Sequence, residues 1–287
     1  MKRRDLLKLL GLAAGSAVCA GEAGAQESGA RGAADDPVGV LVDTTRCIGC
    51  RSCEFACAEA NGYPEPDPDV EPTSDRWMSP AQWTVVQGYD VDSREVSVKR
   101  QCMHCLQPAC ASACLTKAMH KTPDGPVNWD PGKCMGCRYC MVSCPFDVPT
   151  FEYHSANPRI GKCQLCAARV AAGQVPACVA ACPQEALTFG RRGNLLEEAR
   201  HRIYTQPDKY VHHIYGEHEV GGTSWLYLSA VPFDRIGFRT VGTEPVPVAA
   251  KEFLYAVPLV LTVVPPLLLG LRRAAAKDDA GDEGGDA

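Results

Sequence analysis

Sixteen of the chain's 17 cysteines lie between residues 47 and 182, and they fall into four groups of four. Cys47, Cys50, Cys53 and Cys57 follow C-x2-C-x2-C-x3-C. Cys102, Cys105, Cys110 and Cys114 follow C-x2-C-x4-C-x3-C. Cys134, Cys137, Cys140 and Cys144 repeat the first spacing. Cys163, Cys166, Cys178 and Cys182 stretch it to C-x2-C-x11-C-x3-C. Pro145 and Pro183 follow the last cysteine of two groups. This is an internal repeat of ligand sets.

The spacing points to cubane iron–sulfur chemistry. A [4Fe–4S] cube needs four thiolates around one compact inorganic core. Three cysteines two residues apart wrap a loop about three corners, and backbone N–H groups of that loop can face the sulfides. The fourth cysteine, three residues on, is aimed away from that cube; in two-cluster ferredoxins it ligates the neighbouring one. A zinc ribbon joins two C-x2-C pairs rather than triplets closed by C-x3-C-P. Eight disulfides would suit an exported protein, yet many of these cysteines are too close in sequence to pair. A c-type haem needs C-x-x-C-H, and no pair here has that histidine. The chain is 46% hydrophobic and 22% charged, which excludes wholesale disorder. Its net charge of −5 gives no support to nucleic-acid binding.

Both ends carry targeting features. Arg3-Arg4, Leu6, Leu7 and Lys8 precede a weakly apolar run from Leu9 to Ala20 and a small-x-small site at Ala23-Gly24-Ala25. Residues 1–25 resemble a twin-arginine (Tat) export signal; the competing readings are an amphipathic helix and, on a poor match at Ser16-Ala17-Val18, a lipoprotein site at Cys19. A reduced metal site is hard to build where thiols oxidise, so export after cytoplasmic assembly is consistent with the cysteines. Phe253 to Leu271 is uncharged and long enough for one bilayer crossing despite Pro258, Pro265 and Pro266. Arg272, Arg273 and Lys277 follow it, which places the C-terminus in the cytoplasm and residues 26–252 outside. A buried core helix or docking hairpin is the alternative. Residues 61–80, with Pro64, Pro66, Pro68 and Pro72, read as an extended surface loop.

At residues 38–272 the chain resembles the four-cluster ferredoxin subunits of membrane-bound respiratory oxidoreductases. It is most similar to the HybA-type electron-transfer subunits of periplasmic nickel–iron hydrogenases. The supporting stretches are Gln101-Cys102-Met103-His104-Cys105, Gly136 to Val142, Tyr215-Gly216-Glu217, Gly221-Gly222-Thr223, Leu226-Tyr227-Leu228 and Val231-Pro232-Phe233. The resemblance implies an α+β fold of two interleaved ferredoxin-like 2×[4Fe–4S] domains with a single C-terminal transmembrane helix. The implied division is a signal at 1–25, a linker at 26–37, the cluster domains at 38–190, a wrapping segment at 191–252, the crossing at 253–271 and a cytoplasmic tail at 272–287.

The resemblance also implies the ligand sets. One cluster takes Cys47, Cys50, Cys53 and Cys182, and another takes Cys163, Cys166, Cys178 and Cys57. A third takes Cys102, Cys105, Cys110 and Cys144, and the fourth takes Cys134, Cys137, Cys140 and Cys114. The implied function is non-catalytic electron transfer on the periplasmic side of the membrane. The implied partners are a catalytic hydrogenase subunit and an integral-membrane quinone-reactive or cytochrome b-type subunit. The alternative is the beta subunit of a formate dehydrogenase or other molybdopterin enzyme; a remote one is a membrane-anchored redox sensor with structural clusters.

Locally, Val38–Val42, Val127–Trp129, Leu187–Phe189 and 223–231 read as extended, and Ala58–Asn61, Ala111–Ala118 and 192–203 as helical. Neither nucleotide fingerprint nor catalytic triad appears. His212, His213 and His218 read as surface or partner contacts. Arg46, Arg51, Lys133, Arg138 and Lys162 flank ligands and can favour a reduced, more negative cube, although any one of them is ordinarily a solvated charge. Arg138→Ala should lower one cluster's midpoint in an EPR redox titration; an unchanged midpoint would class it as solvated.

Overall fold

The structure, a computed structural model, describes residues 36–156 and 158–282, with the backbone alone at 249, 252–255 and 273–282. The expected signal at 1–25, the linker as far as residue 35 and tail residues 283–287 lie outside the described residues. The first half holds β1 (Val38–Asp43), α1 (Ser52–Asn61), β2 (Val85–Val91), β3 (Arg94–Arg100), α2 (Ala109–Ser112), β4 (Met119–Lys121) and β5 (Val127–Trp129). Then come α3 (Tyr139–Val142), β6 (Thr150–Phe151), β7 (Ile160–Gly161), α4 (Ala167–Ala171), α5 (Ala177–Ala180), β8 (Leu187–Arg191), α6 (Arg192–Thr205), β9 (Trp225–Leu228) and α7 (Val246–Asp282).

The run Val-Gly-Val-Leu-Val of β1 is apolar without alternation because the strand is covered on both faces. It pairs antiparallel with β8 and parallel with β9, in the order β8-β1-β9. Successive side chains point to opposite faces. Leu41, Leu226 and Leu228 therefore meet Leu195, Leu196 and Ala199 of α6. Val40, Val42, Trp225 and Tyr227 face the other way, into a core shared with Met103, Leu165 and Cys178. Gly39 permits this: a Cβ there would lie 2.4 Å from the Ser224 carbonyl oxygen. One face of the sheet is thus an ordinary apolar core, and the other rests on the cysteine loops.

The remaining sheets are small hairpins. β2 and β3 are joined by Asp92-Ser93, both at positive φ (54° and 61°), which is the backbone that matches strand twist in a two-residue turn. This hairpin is not apparent in the sequence, since the turn lacks glycine. β4 pairs with β5 and β6 with β7. Helix α1 contacts α5, and α2 contacts α3, so the first motif meets the fourth and the second meets the third.

Two helical expectations are corrected. α1 starts at Ser52 rather than Ala58, which puts Cys53 and Cys57 one turn apart on one face. The helix expected over Ala111–Ala118 stops at Ser112. The chain turns back at Lys117 (φ 57°), whose N–H reaches the Cys114 carbonyl at 3.2 Å, and proceeds into β4. A continuing helix would carry Cys114 away from its neighbours.

The 61–80 segment is irregular but is pinned down, not solvated throughout. Arg51 donates to the Pro68 and Val70 carbonyls at 3.2 and 2.7 Å. The Glu54 carboxylate, with no exposed side-chain surface, accepts from Arg51, from Arg76 at 2.6 and 2.7 Å, from Gln82 and from the Val86 N–H.

α7 holds three prolines and exposes Leu259, Val260 and Leu261 in succession, so more than one of its faces is bare and apolar. Among the described residues no helix is long and apolar enough to cross a membrane. The crossing expected at 253–271 falls partly on residues 253–255, whose side chains lie outside the described set.

Glu54→Ala strands the buried guanidinium of Arg51 and the largely covered one of Arg76, and cuts α1 from the hairpin. It should destabilise the cluster-loaded protein by about 3–5 kcal/mol, read as a lowered midpoint when the visible cluster absorbance is followed on heating; an unchanged midpoint would contradict the network's role.

Candidate metal centres

Each cysteine loop is shaped by residues in the left-handed region. Gly49 and Arg51 (φ 70° and 60°) flank Cys50, and Gly136 and Arg138 (φ 71° and 61°) flank Cys137 in the same way. His104 (φ 49°) does this for the second motif, and Leu165 and Cys166 (φ 52° and 46°) for the fourth. A second bend lies three residues past the last cysteine of three motifs, at Lys117, Asp147 and Glu185 (φ 57°, 50° and 48°). Their N–H groups bond back to the carbonyls of Cys114, Cys144 and Cys182 at 3.2–3.3 Å. None of these three is glycine, so the sequence carries little sign of them.

Four pockets result, each lined by four thiols. Pocket A, about 410 Å³ of empty space, is lined by Cys47, Cys50, Cys53 and Cys182. Pocket B, about 350 Å³, has Cys57, Cys163, Cys166 and Cys178. Pocket C, about 350 Å³, has Cys102, Cys105, Cys110 and Cys144. Pocket D, about 320 Å³, has Cys114, Cys134, Cys137 and Cys140. All sixteen described cysteines are free thiols. Among the described residues no group of three or more His, Cys, Asp or Glu side chains could hold a single metal ion. Four thiols line each pocket, the number of protein ligands that a [4Fe–4S] core takes.

The pockets lie in single file. Lys99 lines both A and B, and Cys53 of A packs against the cluster that holds Cys178 of B. Cys163 of B packs in one cluster with Cys102 of C, and Cys110 of C in one cluster with Cys140 of D. Only Cys50 and Cys137 are exposed among the sixteen, and they belong to the two end pockets.

Burial dominates the thiols' chemistry. It pushes Cys57 and Cys110 up to about 12, and Cys140 and Cys144 up to about 11. Buried thiols of this kind are held by a metal core or left protonated. Cys114 differs. Its slight burial works upward, but the Met119 N–H at 3.3 Å, the Thr116 hydroxyl and further backbone N–H groups bring it below the ordinary value.

Of the flanking cations named above, Arg138 is exposed, its guanidinium 5.5 Å from the Phe151 ring centre, and Arg51 is committed to Glu54. Lys162 is buried, donating to the Cys163 carbonyl at 2.7 Å and to that of Val127. Sequence reasoning missed Lys99, which on a strand reads as a solvent-facing charge; the only hint is its place in the β-rich run Val96-Ser97-Val98-Lys99. His213 pairs with Glu219 at 2.8 Å and His218 with Glu217 at 3.5 Å.

Two 4Fe-4S dicluster domain models match the chain, at residues 46–118 and 95–192. A Nitratidesulfovibrio vulgaris protein is 48% identical over 280 residues, covering 94% of this chain and 76% of that one. The hydrogenase-2 operon protein HybA of Escherichia coli O157:H7 is 36% identical over 236 residues, covering 69% of this chain and 72% of HybA. The chain belongs to the ferredoxin-type iron–sulfur subunits of respiratory oxidoreductases. The nitrate-inducible formate dehydrogenase iron–sulfur subunit of E. coli K12 is 34% identical over 200 residues, covering 67% of each. Two dicluster domains give this iron–sulfur subunit four [4Fe–4S] clusters, and its relatives are electron-transfer rather than catalytic subunits.

Cysteines such as Cys102, Cys110, Cys163 and Cys178 are themselves part of the apolar cores. Anaerobic removal of iron should therefore abolish the near-UV circular dichroism, at a cost on the order of 10 kcal/mol by analogy with structural metal sites. A native near-UV spectrum in iron-free protein would contradict this.

Proposed function

We propose that this chain is the electron-carrying subunit of a membrane-bound, periplasm-facing hydrogenase, linking a nickel–iron catalytic subunit that oxidises H2 to a quinone-reactive membrane subunit. The observation that carries this reading is the succession of four tetrathiol pockets, with the two most exposed cysteines, Cys50 and Cys137, in the first and last of them. When bound, each [4Fe–4S] cluster supplies a centre that takes up and gives up one electron.

In this reading the four thiols lining each pocket are its ligands. Pocket A thus joins the first and fourth motifs through Cys182, and B joins them through Cys57. C joins the second and third through Cys144, and D through Cys114. The same exchange makes the second and third motifs one ferredoxin-like unit nested between the halves of another. The protein's own part is to fix the order of the centres and set the local charge.

The anchor belongs to the proposal. The twin-arginine segment at 1–25, the apolar 253–271 run and the basic residues after it favour export followed by insertion of α7 in the membrane. The bare apolar faces of α7 call for lipid or a partner helix. α7 contacts α2, which carries Cys110 of pocket C. The C–D end then lies toward the membrane and Cys50 toward the catalytic subunit.

Formate dehydrogenase relatives keep a second reading open to the same test. The complex is isolated from detergent-solubilised membranes and exposed to H2 or to formate. Reduction of all four clusters by H2 is the expected result; reduction by formate alone would move the chain to a molybdopterin complex, and reduction by neither would overturn the conduit. The ligand sets are tested by Cys57→Ser. Although Cys57 belongs to the first motif, the variant should alter the EPR signal assigned to the centre of Cys163, Cys166 and Cys178 and leave that of Cys47, Cys50 and Cys53 unchanged.

A further inference from the structure

Lys99 is 2% exposed and sits on β3, aimed into the wall between pockets A and B. Its ammonium donates to the Thr84 hydroxyl and the Gln101 amide oxygen, both at 2.8 Å, and lies 4.6 Å from the Trp225 ring centre. Both hydrogen-bond acceptors are neutral. Among the described residues no carboxylate forms an ion pair with it. An ammonium buried this way is costly unless a negative charge nearby balances it.

The negative charge available is sulfur. Lys99 lines both the pocket of Cys47, Cys50, Cys53 and Cys182 and the pocket of Cys57, Cys163, Cys166 and Cys178. A cube held by four thiolates is anionic, and it gains one further negative charge on reduction. In a low-dielectric interior a fixed cation favours the reduced form. Pocket D has no counterpart: the cation lining it is the exposed Arg138.

We propose that Lys99 is a buried fixed charge that holds the clusters of pockets A and B at higher reduction potential than they would otherwise have, leaving that of pocket D unaffected. The inference rests on the four-cluster reading above and concerns how the wire's potentials are graded along its length.

The test is an EPR-monitored redox titration of the whole complex, with dithionite as electron donor: each cluster gains one electron, dithionite is oxidised to sulfite, and no protein bond changes. Lys99→Met keeps most of the side chain's apolar length and removes its charge. The reduction equilibria of two clusters should fall by tenfold or more, about 59 mV for one electron, while that of pocket D stays in place. Cys57→Ser identifies the pocket B signal. Lys99→Arg should keep wild-type values.

Gln101→Glu is the second variant, for the case that Lys99→Met loads incompletely. It sets a carboxylate against the ammonium with little change of shape and should lower the same two midpoints. Unmoved midpoints in a fully loaded Lys99→Met or Gln101→Glu protein would overturn the proposal. So would an arginine variant shifted as far as the methionine one, or loss of iron in all three, which would mark a purely structural lysine. Wild-type protein without iron would instead sink the four-cluster reading itself.

Discussion

Sulfur–metal bonding is the interaction on which the rest of this fold depends. The helices α2, α3 and α5 are four residues long, far below what a peptide helix sustains in water. The β4–β5 and β6–β7 hairpins hold three and two pairs, too few to stand alone. What gathers them is the set of cysteine loops around pockets B, C and D. The outer half is less dependent, because β1, β8 and β9 press Leu41, Leu226 and Leu228 against α6 in a conventional core.

Charge follows from that chemistry. Anionic centres inside a protein draw in cations that would otherwise be expelled. Lys99 and Lys162 are both essentially buried, one held by neutral side chains and the other by two carbonyls. Arg51 is buried too, but its partner is Glu54, so its charge is spent on holding α1 to the 61–80 segment. Position relative to sulfur, more than closeness in sequence to a cysteine, separates a tuning charge from a structural one. Arg138 illustrates the converse: it is next to a ligand in sequence, yet water screens it.

The four cysteine motifs were legible in their spacing, which suits cubane ligation, while the pairing of one motif with another came from the family resemblance. The strands at Val38–Val42, Val127–Trp129 and Leu187–Phe189 were legible as apolar runs beside the motifs, and α6 as a helix over 192–203. Other features left weak traces. The β2–β3 hairpin turns on Asp92-Ser93 without glycine, and the helix after Cys110 ends early because Cys114 must turn back through Lys117. The 61–80 segment has a loop's composition but is tied down through Arg76 by the Glu54 carboxylate, 22 residues upstream of it. Lys99 was illegible because a lysine in a strand faces water by default; only the folded neighbourhood of Thr84, Gln101 and Trp225 shows that it faces sulfur.

Anomalous diffraction at the iron absorption edge, on anaerobic crystals of the complex, tests the central claim most directly. Four compact groups of iron density, of four irons each, are predicted in this chain, each enclosed by the four cysteines that line one pocket. Fewer groups, groups placed outside those pockets, or signal at the zinc edge in their place would contradict the account.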